Sequence, residues 1–284
     1  MNSQKKYKQT FSLEFFPPKT PKGAENLRQT REELAKLNPA YISVTFGAGG
    51  STQEGTVETV TEIQQAGIQA APHLSCIASS RQDLSDILQL YKSRGITRIV
   101  ALRGDLPSGT QSPGELRYAN ELVEFIRKET ADHFKIEVAA YPEFHPQAAS
   151  ASADLQNFKR KVEAGADSAI TQYFFNPDAY YRFIDSCEKL KIDLPIIPGI
   201  MPITNHTQLV RFSDACGAEV PRWIKKRLQD YGDDIESIKA FGLDVTINLC
   251  NNLLNQGAPG IHFYSMNKTE PVKTLWQTLG LKNQ

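Results

Sequence analysis

The sequence has few cysteines, and none of them is placed for metal binding or redox chemistry. Its cysteines are Cys76, Cys187, Cys216 and Cys250. No two of them form a C-x-x-C pair, and no group of cysteine and histidine has the spacing of a zinc site. We therefore expect no bound metal, and thiols that stay reduced, as they do in the cytoplasm.

The sequence also lacks an excess of charge of one sign and a long apolar run. It contains 32 basic and 32 acidic side chains, so no surface for nucleic acid or for an anionic membrane is expected. No segment approaches the roughly 18 consecutive apolar residues that predict a membrane-spanning helix. The polar, lysine-bearing start is unlike a secretory signal peptide. These absences predict a soluble, cytoplasmic protein without nucleic-acid or membrane partners.

Strand-like and helix-like segments alternate along the chain. The predicted strands are 11–16, 41–46, 69–76, 96–103, 135–141, 168–174, 194–200 and 260–265. Helical periodicity lies between them, and three helical segments precede the last strand, at about 208–215, 222–230 and 234–255. Such alternation predicts a parallel sheet with right-handed crossovers. We expect an α/β fold with a single catalytic (β/α)8 TIM barrel domain over residues 1–284.

The first predicted strand places a lone carboxylate at the expected mouth of this barrel. Alternation separates the apolar residues of the strand from Ser12 and Glu14. Barrel enzymes keep their chemistry at the carboxyl ends of the strands, so Glu14 is expected to point into the mouth. The alternative is a glutamate that leans into solvent at a strand end. The second and fifth strands put Ser43 and Glu137 on a small, polar face that we expect to line the lumen.

Polar residues end or follow several other predicted strands. They are Thr45, His73, Arg103, Asp105, Tyr141, His145 and Gln172. Any one of them is more often structural than catalytic, but their joint placement at one end of a barrel predicts a site there. The loop 104–114 is long and rich in glycine, proline and serine, and such loops in compact domains are often functional.

Two other segments bear on a nucleotide ligand. Gly47–Gly50 lies between a strand and a helix, but Thr52 replaces the third glycine of a G-x-G-x-x-G motif, so we reject a Rossmann site. The helix that follows the fifth strand carries a polar stripe of Asp154, Asn157, Arg160 and Lys161. That stripe is either a solvated helix face or a surface for a charged ligand, since cations suit a pyrophosphate.

Five motifs, in order, resemble the bacterial methylenetetrahydrofolate reductases. They are Phe11–Pro18, Val44–Gly50, Leu102–Pro107, Ala140–Pro146 and Thr171–Phe175, and the likeness extends from about Thr10 to Leu281. The resemblance implies a β/α barrel that holds FAD and moves a hydride from NADH or NADPH to 5,10-methylenetetrahydrofolate. The product is 5-methyltetrahydrofolate, a methyl donor for methionine synthesis. The resemblance also implies a homo-oligomer and favours NADH as the donor.

The resemblance further implies roles for individual residues. Glu14 matches the general acid, and Asp105 matches a carboxylate between flavin and folate. The positions that resemble FAD or nicotinamide contacts are Thr45, Phe46, His73, Arg103, Gly104, Asp105, Tyr118, Ala119, Tyr141, His145, Ala148, Asp154, Asn157, Arg160 and Lys161. Gln172 resembles a folate contact. Lys268 stands where some relatives have an arginine near the folate, and a lysine cannot make the same forked contact.

The implied chemistry requires an acid. Methylenetetrahydrofolate accepts a hydride poorly until its bridging nitrogen is protonated and the ring opens to an iminium cation. Burial of Glu14 among Phe15, Phe16 and a flavin predicts a raised pKa that keeps it protonated near neutral pH. Asp105 would attract the cation. Two alternatives stay open: another flavin barrel of the proline dehydrogenase type, and a flavin or folate carrier without catalysis.

Overall fold

A parallel sheet curled into a barrel organises the chain. The computed structural model describes residues 1–46, 53–105 and 114–283. The strands are β1 (Thr10–Phe15), β2 (Ile42–Val44), β3 (Ala70–Ser75), β4 (Arg98–Leu102), β5 (Lys135–Ala140), β6 (Ser168–Thr171), β7 (Ile196–Ile197), β8 (Gly199–Ile200) and β9 (Gly260–Tyr264). They pair in the order β7-β6-β5-β4-β3-β2-β1-β9-β8, and every pairing is parallel.

Helices alternate with these strands, as the sequence predicts. They are α1 (Pro21–Ala35), α2 (Gln53–Gln65), α3 (Arg81–Ser93), α4 (Ala119–Thr130), α5 (Ala151–Glu163), α6 (Pro177–Lys189), α7 (His206–Cys216), α8 (Arg222–Tyr231), α9 (Ile235–Gln256) and α10 (Val272–Thr278). The helical segments expected before the last strand are confirmed as α7, α8 and α9. Ile224 and Leu228 of α8 pack with Val245 of α9 in a separate apolar cluster.

The predicted α/β barrel is confirmed, with one strand divided. The segment 194–200 forms two short strands on either side of Pro198, because proline has no N–H to donate to a ladder. β7 pairs with β6, whereas β8 pairs with β9 through Gly199 and His262. The His262 main-chain N–H also donates to the Pro198 carbonyl at 2.9 Å. One divided strand thus pairs with both neighbours in turn and brings the sheet close to closure.

The two faces of β1 differ as the alternation predicts. Phe11, Leu13 and Phe15 are buried in the main apolar core together with Leu27 and Leu34 of α1. Each fully buried side chain of this size contributes about 1.5–3 kcal/mol relative to exposure. This apolar face anchors the strand and leaves its polar face to the interior of the barrel.

The interior of the barrel is polar and hydrogen-bonded. The Tyr41 hydroxyl donates to the Glu137 carboxylate at 2.6 Å, and the Arg98 guanidinium pairs with the same carboxylate. Arg98 also lies over the Tyr41 ring, 4.4 Å from its centroid. Buried charges are stable only when paired in this way. The expectation that Ser43 and Glu137 face the lumen is confirmed, and the Arg98 pair occupies its end near the start of β4.

Candidate active site

Glu14 lies inside the barrel, between two histidines. Its carboxylate Oε2 is 3.2 Å from His73 Nε2 on β3 and 3.6 Å from His262 Nε2 on β9. The Ser43 hydroxyl is 3.5 Å from the same oxygen. The Glu14 side chain is only 16% exposed. The alternative of a glutamate leaning into solvent is therefore wrong.

The neighbours of Glu14 reverse the expected direction of its pKa. Burial acts to raise the pKa, as the sequence argument assumed. The favourable electrostatics of the His73 and His262 imidazoles, whose Nε2 atoms lie 3.2 and 3.6 Å from the carboxylate, outweigh burial and lower the pKa of Glu14 to about 2. The expectation of a raised pKa is wrong for the protein without ligands, because His262 was not among the predicted neighbours. Glu14 is a carboxylate at neutral pH in this state.

A cavity of about 540 Å³ opens above Glu14, which we call the central cavity. Its volume falls within the usual range for small-molecule sites. The predicted site residues that line it are Glu14, His73, Asp105, Tyr141, His145 and Gln172. These residues come from the carboxyl ends of β1, β3, β4, β5 and β6. The prediction that polar residues gather at one end of the barrel is confirmed.

A second cavity of about 530 Å³, which we call the side cavity, lies next to the central one. The predicted site residues that line it are Arg103, Gly104, Asp105, Tyr118, Ala119, Tyr141, His145, Ala148, Asp154, Asn157, Arg160 and Lys161. Asp105, Tyr141 and His145 line both cavities. The two cavities are therefore contiguous, and one elongated ligand could occupy both.

The wall of the side cavity is fixed by hydrogen bonds around Arg103. The guanidinium donates to the Gln147 side-chain oxygen at 2.5 Å and to the Gly104 carbonyl at 3.0 Å. Gly104 has a φ of +82°, and a Cβ added there would lie 1.8 Å from the Ser75 hydroxyl. Glycine is required at this position for its backbone conformation and for the close approach of β3.

One wall of the side cavity carries two cationic side chains, Arg160 and Lys161. The Lys161 ammonium donates to the Ala139 carbonyl at 2.5 Å, and burial lowers the pKa of Lys161 to about 8, opposed by the charge of Asp154. Arg160 is exposed and donates to the Asn157 side-chain oxygen at 2.7 Å. Asp154 accepts a hydrogen bond from the His145 main-chain N–H at 3.0 Å. The stripe on α5 is therefore part of a cavity wall as well as a polar helix face.

Asp105 lies where the two cavities meet. Its side chain is 93% exposed, and its carboxylate lies 3.6 Å from the Arg103 guanidinium. An exposed pair of this kind contributes little to stability. The carboxylate is therefore available to a ligand that spans the junction.

Three predicted residues line neither cavity. Thr45 and Phe46 end the first described stretch of the chain, and the buried Thr45 hydroxyl has no hydrogen-bond partner among the described residues. Lys268 is exposed, and its main-chain N–H donates to the Ser265 carbonyl at 3.0 Å. Gly47–Gly50 and most of the loop 104–114 lie outside the described residues.

Several residues of the site were not predicted from the sequence. Tyr264 lines the central cavity, and His262 lies beneath it, fully buried. Both are on the polar face of β9, so the alternation of that strand carried the signal. Phe212 and Cys216 of α7 also line the central cavity. No sequence pattern indicated them, because helical periodicity does not show that a helix packs over the barrel mouth.

Together these features define a β/α barrel whose ionisable side chains surround a ligand-sized space at the carboxyl ends of the strands. Residues 1–280 match the family model described as methylenetetrahydrofolate reductase. The chain belongs to the methylenetetrahydrofolate reductase family. No helix in the described parts of the chain has the length and apolar character needed to cross a membrane.

Similar proteins agree with this family. The chain is 42% identical over 272 residues to the 5,10-methylenetetrahydrofolate reductase of Escherichia coli, covering 95% of this chain and 90% of the relative. It is 41% identical to a Buchnera aphidicola enzyme of the same name, covering 95% of this chain and 91% of that one. It is 35% identical to Arabidopsis thaliana methylenetetrahydrofolate reductase (NADH) 1, but covers only 48% of that longer protein.

Solved structures share the fold at low sequence identity. A Clostridium thermocellum protein described as binding two copies of 5-methyl-5,6,7,8-tetrahydrofolic acid has a TM-score of 0.68 and 14% identity, with 98% of this chain and 95% of that one covered. An oxaloacetate acetylhydrolase has a TM-score of 0.53 and 8% identity, with 94% and 79% covered. These likenesses show the barrel fold alone.

Proposed function

We propose that the protein reduces 5,10-methylenetetrahydrofolate to 5-methyltetrahydrofolate, with FAD as its bound cofactor and NADH or NADPH as the reductant. The observation that carries the proposal is the pair of contiguous cavities, with Glu14 lining one and the Arg160 and Lys161 cations lining the other. We further propose one catalytic domain over residues 1–284 of a cytoplasmic homo-oligomer that supplies methyl groups for methionine synthesis.

The side cavity fits the dinucleotide part of FAD. Lys161 and Arg160 offer charge to a pyrophosphate, and Asp154 and Asn157 offer hydrogen-bonding groups to hydroxyls nearby. Arg103, Gly104, Tyr118, Ala119 and Ala148 would form the rest of this wall. FAD held there would supply hydride transfer between the nicotinamide and the folate, so that the two substrates could use one site in turn. Tyr141, His145 and Asp105 would bracket its ring system, where the cavities join.

Glu14 would serve as the proton donor to the folate. The bridging nitrogen of methylenetetrahydrofolate must gain a proton before the ring opens, and Glu14 is a largely buried carboxylate that lines the central cavity. The free protein holds this group as an anion, so Glu14 must take up a proton before that step. Entry of a substrate displaces water and disfavours the charged form, which raises the proton affinity of the carboxylate.

Asp105 and Gln172, which also line the central cavity, would bind the folate together with Glu14. Gln172 lines the central cavity, and its side-chain oxygen accepts the Tyr173 main-chain N–H at 3.0 Å. The side-chain amide is thus held in place with its NH2 group left to donate to a pterin. Asp105 carries its negative charge where the iminium cation would form. Lys268 is exposed and would reach the folate only from the rim.

One experiment tests the proposal directly. The purified protein is expected to be yellow, to bleach when NADH is added without oxygen, and to regain its colour with methylenetetrahydrofolate. A proline dehydrogenase-like enzyme would instead be bleached by proline, and a carrier would bind flavin or folate without any change of colour. If methylenetetrahydrofolate does not reoxidise the bleached protein, the proposed function is wrong.

A further inference from the structure

His262 lies on β9 in the interior of the barrel, beneath the central cavity. Its side chain is 0% exposed, and it is not among the residues that line either cavity. Ring atom Nδ1 is 2.8 Å from the Ser12 hydroxyl, and Nε2 is 3.6 Å from Glu14 Oε2. The imidazole therefore connects the first strand to the last, with one nitrogen facing the proposed acid.

The surroundings of His262 place Glu14 as its nearest anion. The Tyr41 ring stacks at 6.0 Å and the Tyr264 ring lies edge-on at 5.4 Å, measured between centroids. His73 reaches the same Glu14 oxygen from β3. Beyond Tyr41, Glu137 is neutralised by Arg98, and the adjoining β8 presents Gly199 and Ile200. A positive charge on His262 is therefore balanced by Glu14.

We infer that His262 is a positioning residue for Glu14: from within the barrel it orients the carboxylate and stabilises its anion, with Ser12 fixing the ring. This inference rests on the proposed function, in which Glu14 is the acid. His73 faces the same carboxylate but also lines the central cavity, so a bound ligand can disturb it. His262 has no access to the cavity, so it acts on a ligand only through Glu14 or through Ser43, whose hydroxyl lies 3.5 Å from Nε2.

The consequence is a restraint on when Glu14 binds a proton. An opposite charge within a few ångströms stabilises the ionised carboxylate, so His262 keeps Glu14 charged in the open site. Once substrate entry has forced protonation of Glu14, the same imidazole favours transfer of that proton to the substrate, because transfer restores the carboxylate. His262 therefore makes Glu14 a stronger acid without touching the folate.

His262→Gln tests this in the protein without substrate. Glutamine keeps a neutral donor of similar reach but cannot carry charge. The Glu14 carboxyl signal, identified by its loss in Glu14→Gln, is followed against pH by infrared or ¹³C spectroscopy. The titration midpoint is expected to rise by about one pH unit or more in His262→Gln, and by less in Ser12→Ala, which frees the ring but leaves the imidazole in place. An unchanged midpoint in His262→Gln would overturn the inference.

Kinetic measurements on the same variant distinguish a positioning role of His262 from a merely structural one. His262→Gln is expected to move the pH profile of folate-dependent reoxidation in the same direction, while reduction by NADH is unchanged. In the Glu14→Gln background, His262→Gln should cause no further loss, since both act through one proton. Independent, multiplicative losses would count against the inference.

Two further measurements distinguish failure of the inference from misfolding of the variant and from failure of the proposed function. If His262→Gln does not fold, as judged by thermal unfolding, His262→Asn preserves the contact with Ser12 and is titrated in the same way. If the wild-type protein does not reoxidise with methylenetetrahydrofolate, the proposed function fails, but the carboxyl titration still decides whether His262 controls Glu14.

Discussion

The Lys161 ammonium donates a 2.5 Å hydrogen bond to the Ala139 carbonyl, so the last turn of α5 is tied to the end of β5. This contact orients the cation into the side cavity rather than along the helix surface. Lys161 is thereby kept next to the space where the proposed pyrophosphate would lie, beside Arg160 on the same helix.

Replacing both cations should weaken flavin binding. In Arg160→Ala/Lys161→Ala, two charge-assisted contacts of about 1.5–3 kcal/mol each are lost. The double variant should purify with less FAD and show a higher Kd by fluorescence titration. Lys159→Ala on the same helix is the matched control, because Lys159 pairs with Glu163 and lines neither cavity. Full flavin content in the double variant would place the pyrophosphate elsewhere.

Gly104→Ala should disturb the cavity wall as well as the backbone. The added Cβ would lie 1.8 Å from the Ser75 hydroxyl, at a φ of +82°. Gly67→Ala is the matched control, since Gly67 has a φ of +80° with no atom within 4 Å of an added Cβ. The control should cost about 1–2 kcal/mol from backbone strain. Gly104→Ala should cost more in urea unfolding and lower FAD retention. Equal costs would show that the close approach to Ser75 relaxes freely.

Glu14 should make stability depend on pH in the acid range. Its pKa in the folded protein is about 2, below the ordinary value of 4.5. A carboxyl group whose pKa is lower in the folded than in the unfolded protein stabilises the fold at pH values above its unfolded-state pKa. This contribution is lost as the pH falls through the folded-state pKa. Glu14→Gln should therefore be less stable than wild type at pH 7, by at most about 3 kcal/mol. The difference should shrink between about pH 5 and pH 2 in denaturant unfolding.

Glu143 provides a control, because its effect on stability should change with pH in the opposite direction to that of Glu14. Burial raises its pKa, so its charged form costs stability, and that cost disappears as the pH falls. Relative to Glu143→Gln, the wild-type protein should gain stability on acidification. If both variants show the same direction of change, a general effect of net charge, and not the histidines around Glu14, explains the pH dependence.

Local patterns predicted more of the fold than of the site. Period-two alternation placed Glu14, Ser43 and Glu137 on the inner face because that pattern depends only on the strand itself. The division of the seventh strand at Pro198 was missed, since a change of pairing partner depends on both neighbouring strands. The start of α4 at Ala119 depends on a local contact, because the Glu121 carboxylate caps the preceding main-chain N–H groups.

The charge state of Glu14 could not be predicted from its own strand. Its apolar neighbours in sequence indicated desolvation, which does act on it. The opposing effects come from His73 and His262, which only the assembled barrel brings within 3.2 and 3.6 Å of the carboxylate. An electrostatic environment assembled from three strands is a tertiary property, and the sequence signal for it was the polar face of β9.

Asp105→Asn should slow the reduction of methylenetetrahydrofolate more than the reduction of the flavin by NADH. The iminium cation forms only when folate is reduced, so only that half loses an ion pair. Asp105 is 93% exposed, so the fold should be unaffected. Stopped-flow absorbance of the bound flavin measures reduction by NADH and reoxidation by methylenetetrahydrofolate separately. Asp132→Asn, exposed and outside both cavities, is the control. Equal damage to both halves would show that Asp105 acts on the cofactor or the loop.

Glu14→Gln should slow flavin reoxidation by methylenetetrahydrofolate far more than flavin reduction by NADH. Glutamine keeps the size and hydrogen bonding of the side chain but has no proton to deliver. Reduction by NADH needs no proton on the folate, so its rate should be close to that of wild type. Reoxidation by methylenetetrahydrofolate should slow by about 10²- to 10⁴-fold, the usual effect of losing a general acid. Folate affinity should change little, because Gln172 and the remaining cavity wall are intact. A near wild-type rate of reoxidation would mean that another group, with His73 the nearest candidate at 3.2 Å from Glu14, delivers the proton.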